Sequence, residues 1–213
     1  MQGRKMLTNV TSDMLRVVVS ALQTPVVVVL LFLMVVTVAM TGSFTIEFLT
    51  ERRKLKEDIP KLIDKVNRDT LDEGVERIKK SAILTRQKNA IASLASEKDI
   101  GVDGREAYAS QLLFEEGVYY KKYLRWPEIA LRIGPMFGLL GTLIPLGPGL
   151  IALGQGKTDI LSQSLLIAFD TTAAGVIVSA FAFVILHFRK SWYQEYAKGL
   201  ESMMNVILDK MEQ

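Results

Sequence analysis

The chain has 213 residues, 49% of them apolar, with a mean hydropathy of +0.24, a formal charge of +3 and a pI near 9.0. It has no cysteine and one histidine, which excludes disulfides, thiolate catalysis and zinc–thiolate sites. Charged residues make up 23%, too many for a chain that is membrane throughout, so apolar and charged stretches must alternate.

They do. Residues 17–46 and 133–156 carry no charge, and residues 160–186 carry only Asp170. Each run exceeds the ~20 residues a helix needs to cross ~30 Å of hydrocarbon, so three spanning helices are expected. A cleaved signal peptide fits the first run badly, because its apolar region should be roughly 7–15 residues long and this one is about twice that.

In chain order, residues 1–24 form an amphipathic lead-in and residues 25–48 the first span, with Pro25 in a first turn where its missing N–H costs nothing. Residues 49–127 form a charged helical region. Leu55, Ile59, Leu62, Ile63 and Val66 recur there at threes and fours, and breaks are expected at Pro60 and around Gly101 and Gly104. Such helices read either as solvated surface or as a docking platform for neighbouring subunits. Tyr119, Tyr120, Tyr123 and Trp126, among Lys121, Lys122, Arg125 and Arg132, mark the entry into a headgroup layer. The second span covers 128–153, a short turn holds Lys157, and the third span covers 160–187. Residues 188–213 form a charged C-terminal helix, and His187 is expected at the interface.

Arg52, Arg53, Lys54, Lys56, Lys61 and Lys65 follow the first span, against Arg4, Lys5 and Arg16 before it. The excess places the charged region and the C-terminus in the cytoplasm and the N-terminus outside, in a multi-pass membrane protein. Basic residues crowd at membrane ends and interleave with acids elsewhere, which argues for topology and against nucleic acid.

Inside the spans, Gly134, Gly138, Gly141, Thr142 and Pro145 recur on one stretch, and Ala168, Thr172, Gly175, Ser179 and Ala182 on another. Small residues let helices approach closely in lipid, so both stripes read as packing faces. Thr171, Thr172 and Thr142 add hydroxyls that donate and accept, so a polar stripe is expected. Asp170 is costly in hydrocarbon and should meet protein or water. It points nearly opposite to Thr172, which places it at a helix–helix contact rather than in a pore. Pro145 and Pro148 in "IPLGPG" should kink the second span or end its regular part.

The stretches "PMFGLLGT" (135–142) and "AFDTTAAGV" (168–176) resemble the MotA/TolQ/ExbB family of ion-channel subunits. The order of one span, a charged helical region and two spans joined by a short turn is similar to that family over nearly the whole chain. The resemblance implies an all-α integral membrane protein assembling as a ring. It implies a homopentamer around two copies of a single-span ExbD/TolR/MotB-type partner, in contact with membrane lipid, and the plasma (inner) membrane as its location. Such a stator subunit would turn proton, possibly sodium, flow into motion of the partner, with Thr142 and Thr172 at the pore threonines. Thr171, Asp170 and Ser179 are secondary polar candidates. TolQ/ExbB-type members carry a glutamate five residues before the second threonine, where this chain has Ile167.

A non-conducting membrane scaffold is the alternative, although it would need only glycine and alanine in its spans. An enzyme is not expected: no catalytic cluster, metal site or cofactor is visible, and no paired intramembrane carboxylates offer acid–base chemistry.

Overall fold

The computed structural model describes residue 14 and residues 17–52, 58–97 and 100–212. Arg4, Lys5, Arg16, Arg53, Lys54, Leu55 and Lys56 lie outside the described residues, as does most of the expected lead-in. Among the described residues there are helices and no strand. The helices are α1 (Gln23–Glu47), continued by one π-helical turn (Phe48–Arg52), α2 (Ile59–Arg68), α3 (Leu71–Lys80), α4 (Thr85–Ser96), α5 (Val102–Gly154) and α6 (Thr158–Glu212). Three helical stretches are long and apolar enough to cross a membrane: Val17–Thr50, Val102–Gly154 and Thr158–Glu212.

Packing divides the chain into two units, one drawn from Met1–Thr41 and Trp126–Ile185, the other from Gly42–Arg125 and Leu186–Gln213. In the apolar unit, α5 and α6 form an antiparallel hairpin. Its turn is short because Gly156 adopts φ 75°, a left-handed conformation open to glycine at little cost. The Gly156 N–H donates to the Leu153 carbonyl at 2.9 Å and the Lys157 N–H to the Ala152 carbonyl at 2.9 Å, which satisfies the last carbonyls of α5 in a Schellman arrangement. The first helix joins through Val26 and Leu30, which pack on Ile144 and Phe137.

Of the two outcomes expected for Pro145 and Pro148, a kink or an end, the second gives way here. The helix does not end at "IPLGPG": α5 continues through Pro127, Pro135, Pro145 and Pro148 to Gly154. Each proline frees one carbonyl, and a helix packed in apolar surroundings tolerates that loss where its other bonds remain closed. The first helix begins at Gln23, so Pro25 lies in its first turn.

The charged unit has a core of its own rather than a set of solvated helices. Leu62 and Val66 of α2, Ile78 of α3, and Ile91 and Leu94 of α4 bury against Leu200, Met203, Met204 and Ile207 of α6. Local chemistry sets the turns. Thr70 and Glu73 form a capping box at the start of α3, with Glu73 Oε2 accepting from the Thr70 N–H at 3.1 Å. Pro60 lies in the first turn of α2, and Gly101 precedes α5, as the pattern predicts.

Candidate ion pathway

The hairpin seam is built from absent side chains. A Cβ placed on Gly175 would lie 2.6 Å from the Gly134 carbonyl oxygen and 2.9 Å from Gly138 Cα, so backbone meets backbone there. A Cβ on Gly141 would lie 2.5 Å from Thr171 Cβ, and one on Gly149 would lie 3.0 Å from Ser164 Cβ. On α6 the buried positions are Ala168, Thr171, Gly175, Val178 and Ala182, which alternate steps of three and four. This is the register of two helices crossing at a shallow angle. Gly134, Gly138 and Gly141 on α5 are buried against them.

Thr171, not Thr172, therefore fills the seam. Its hydroxyl donates to the Ile167 and Ala168 carbonyls at 2.9 and 3.0 Å. Thr172 is exposed beside the seam and donates to the Ala168 carbonyl at 3.0 Å, while half-buried Thr142 donates to the Leu139 carbonyl at 2.7 Å. Ser179, half-buried on the seam's edge, donates to the Gly175 carbonyl at 2.7 Å. These bonds satisfy the hydroxyl protons within each helix, a common resolution in hydrocarbon.

Position around the helix decides what those oxygens can share. With 100° per residue, Thr142 lies about 70° and Thr172 about 90° round from the seam, and because the helices are antiparallel both offsets fall on the same side. Phe137 and Ile144, which hold α1, lie on the other side. Asp170 also turns to that other side, about 110° from the seam, which keeps it apart from Thr172 as expected. Within the chain it makes no helix–helix contact of the expected kind, because its side chain is exposed.

The described residues contain no cluster of histidine, aspartate and glutamate able to hold a metal ion. The family model that matches is that of the MotA/TolQ/ExbB proton channel family, over residues 50–202. The chain belongs to this family. A search of curated proteins finds no match. The family is one of channels and not of enzymes, and its matched segment takes in most of the charged unit and the glycine seam while leaving most of the first span outside.

Sequence reasoning missed a polar network in the charged unit of this MotA/TolQ/ExbB member. Arg189, 3% exposed, donates through Nε to Glu47 Oε2 at 2.8 Å, and Tyr193 donates to Glu47 Oε1 at 2.9 Å. Arg189 Nη2 reaches Ser43 Oγ at 3.3 Å, and Nη1 reaches the Tyr123 carbonyl at 3.4 Å. That carbonyl has no intrahelical donor because the residue four positions on is Pro127. A signal was available: Arg189 falls seven residues after Ala182, on the continued register of the buried stripe. The aromatic belt also divides. Trp126 and Tyr123 are exposed as an interfacial role requires, but Tyr120 is buried and stacks on Tyr193 at 4.6 Å. His187 is exposed, beside Phe188.

Proposed function

We propose that the protein is an ion-conducting stator subunit. Several copies, five by family resemblance, form a ring around two copies of a single-span ExbD/TolR/MotB-type partner, and flow of protons, possibly sodium ions, along Thr142 and Thr172 drives the partner's motion. The observation that carries this reading is the common flank of Thr142 and Thr172 beside a closely packed seam, whose hydroxyls could pass a cation or a water-borne proton. Facing these flanks inward in a ring would line a pore with two rows of hydroxyls. The charged unit and C-terminus lie in the cytoplasm of a plasma-membrane protein, and the turn at Gly156 lies outside.

The experiment reconstitutes the chain with its partner in liposomes and follows flux with an internal pH dye. Thr172→Val keeps shape and removes the hydroxyl, so flux should fall at least tenfold with assembly unchanged, while Thr172→Ser should keep most of it. Wild-type flux in Thr172→Val would leave packing, and hence a non-conducting scaffold, as the better account. Orientation is read separately, by impermeant thiol labelling of Lys157→Cys but not Ser96→Cys in intact cells.

A further inference from the structure

Within the charged unit the α5–α6 pair has one flank covered and one bare. Tyr120 of α5 stacks on Tyr193 of α6 at 4.6 Å, which fixes the line along which the two antiparallel helices meet. Counting 100° per residue from that line, the residues that meet α1 and α4 fall to one side: Trp192 stacks on Phe44, Glu116 accepts from Arg86, and the Tyr196 carbonyl accepts from Gln87. Lys121, Arg125 and Lys190 fall to the opposite side, about 100°, 140° and 60° from the line, and all three are exposed. Arg189 Nη1 reaches the Tyr123 carbonyl at 3.4 Å, which sets Lys190 at the height between Lys121 and Arg125. The three cations therefore form one patch.

The charge of this patch is uncompensated. Over residues 121–132 of α5 and 187–192 of α6 the sequence offers one acid, Glu128, and it holds Arg132 at 2.8 Å. Arg189 is neutralised by Glu47. Lys121, Arg125 and Lys190 form no ion pair among the described residues. A second copy of the chain cannot supply the missing acid. Copies in a ring whose axis follows the spans stand at equal height, so a neighbour brings the same basic band to the patch.

Height identifies the counter-charge independently. At 1.5 Å per residue from the ends of the spans expected over 128–153 and 160–187, Arg125 and Lys190 stand about 4–5 Å beyond the apolar run and Lys121 about 10 Å. That is the depth of the headgroup layer once the reach of a long basic side chain is counted. The anion at that depth is lipid phosphate, and basic residues just beyond a span attract anionic lipid. Lys121 and Arg125 are neighbours one turn apart on α5, and with Lys190 beside them they offer charged donors to a single phosphodiester. We propose that this flank is a binding site for the headgroup of an anionic phospholipid, held by Lys121, Arg125 and Lys190. The site rests on the membrane-spanning reading and is independent of ion conduction and of the partner.

The test uses the full chain, purified in a neutral detergent and incubated with equal amounts of phosphatidylglycerol and phosphatidylcholine of matched acyl chains, and native mass spectrometry counts the lipids retained. Phosphatidylglycerol should be retained over phosphatidylcholine by about tenfold or more. Lys121→Gln, Arg125→Gln and Lys190→Gln together should bring the ratio close to one, and Arg125→Gln alone should lower it several-fold. Lys65→Gln, Lys79→Gln and Lys198→Gln together remove the same charge from exposed positions elsewhere in the charged unit and should leave the ratio unchanged. Equal retention of the two lipids by the wild type, an undiminished excess in the patch variants, or an equal loss in the control variant overturns the proposal. Ion flux, read separately in liposomes, has no bearing on this outcome.

Discussion

Arg189 and Glu47, 142 positions apart in sequence, are joined by a 2.8 Å charge-assisted bond, with the arginine side chain 4% exposed and the glutamate 15%. Attraction in such surroundings offsets the cost of desolvating both groups, so the pair contributes most visibly when one member is removed. Arg189→Met should lower the stability of the charged unit by about 3–5 kcal/mol, because Glu47 is left buried with Tyr193 alone. Glu47→Leu combined with Arg189→Met should recover much of that loss. Thermal unfolding in detergent, followed by the fluorescence of Trp192, which stacks on Phe44 at 5.3 Å, reads both variants. A double variant as unstable as the sum of the singles would show that the two residues are not coupled.

Gly175→Val should open the hairpin. Its added carbons collide with the Gly134 carbonyl and Gly138 Cα, which are backbone atoms and cannot swing aside. The expected cost is about 1–3 kcal/mol or a shifted seam. Gly147→Ala is the control, since nothing lies within 4 Å of its added methyl. Unfolding midpoints of the two variants should differ by several degrees, and equal midpoints would refute the tight seam.

Asp170 lies on the opposite flank of α6 from Thr172, so it should not carry the ion. Asp170→Asn, which keeps shape and hydrogen bonding, should leave liposome flux near wild type. Asp170→Leu should reduce the proportion of assembled protein on size-exclusion chromatography, because an exposed intramembrane carboxyl needs a polar neighbour from another chain. Loss of flux in Asp170→Asn with intact assembly would move the aspartate into the conduction path.

Acid should loosen the C-terminal end of α6. Hydrogen bonding to Arg77 holds the Asp69 carboxyl below its ordinary value, against a smaller opposing effect of burial. A carboxyl lowered on folding stabilises the fold fully above its unfolded value of 3.8 and loses that contribution as pH falls through the lower folded value. The link matters for α6 because Lys210 Nζ donates to the Asn67 carbonyl at 3.0 Å and to that of Asp69 itself. Protection of α6 amides near Lys210, taken relative to the intrinsic exchange rate at each pH, should fall below pH 4 in the wild type, and Asp69→Asn should show the lower protection already at pH 7.

The spans, the order of elements and the glycine faces were legible because charge-free runs and small-residue spacing are one-dimensional signals. Breaks at Pro60 and Gly101 were legible for the same reason. The choice between Thr171 and Thr172 was not. Both fit a helical stripe, and only the three-and-four register against α5 selects Thr171. Glu47 and Arg189 stand at the ends of apolar runs, and nothing local in the sequence reveals that distant residues will enclose them. The core of the charged unit was also underestimated, because four of its thirteen buried residues come from α6, far along the chain. The T-x-x-E signature of Thr70 and Glu73 was readable and was passed over.

The locked turn at Gly156 bears on how the hairpin forms as well as on how it stands. Contacts along the seam pair Gly149 with Ser164, then Gly141 with Thr171, Gly138 with Gly175, and Gly134 with Ser179, each step reaching a little farther along the chain. Once the tip is closed, every later pair requires only a few more residues to come into register, so the chain-entropy cost is divided into small increments. The seam should therefore zip from the turn inward, and a bulky residue near Gly149 should delay pairing at an earlier step than one near Gly134.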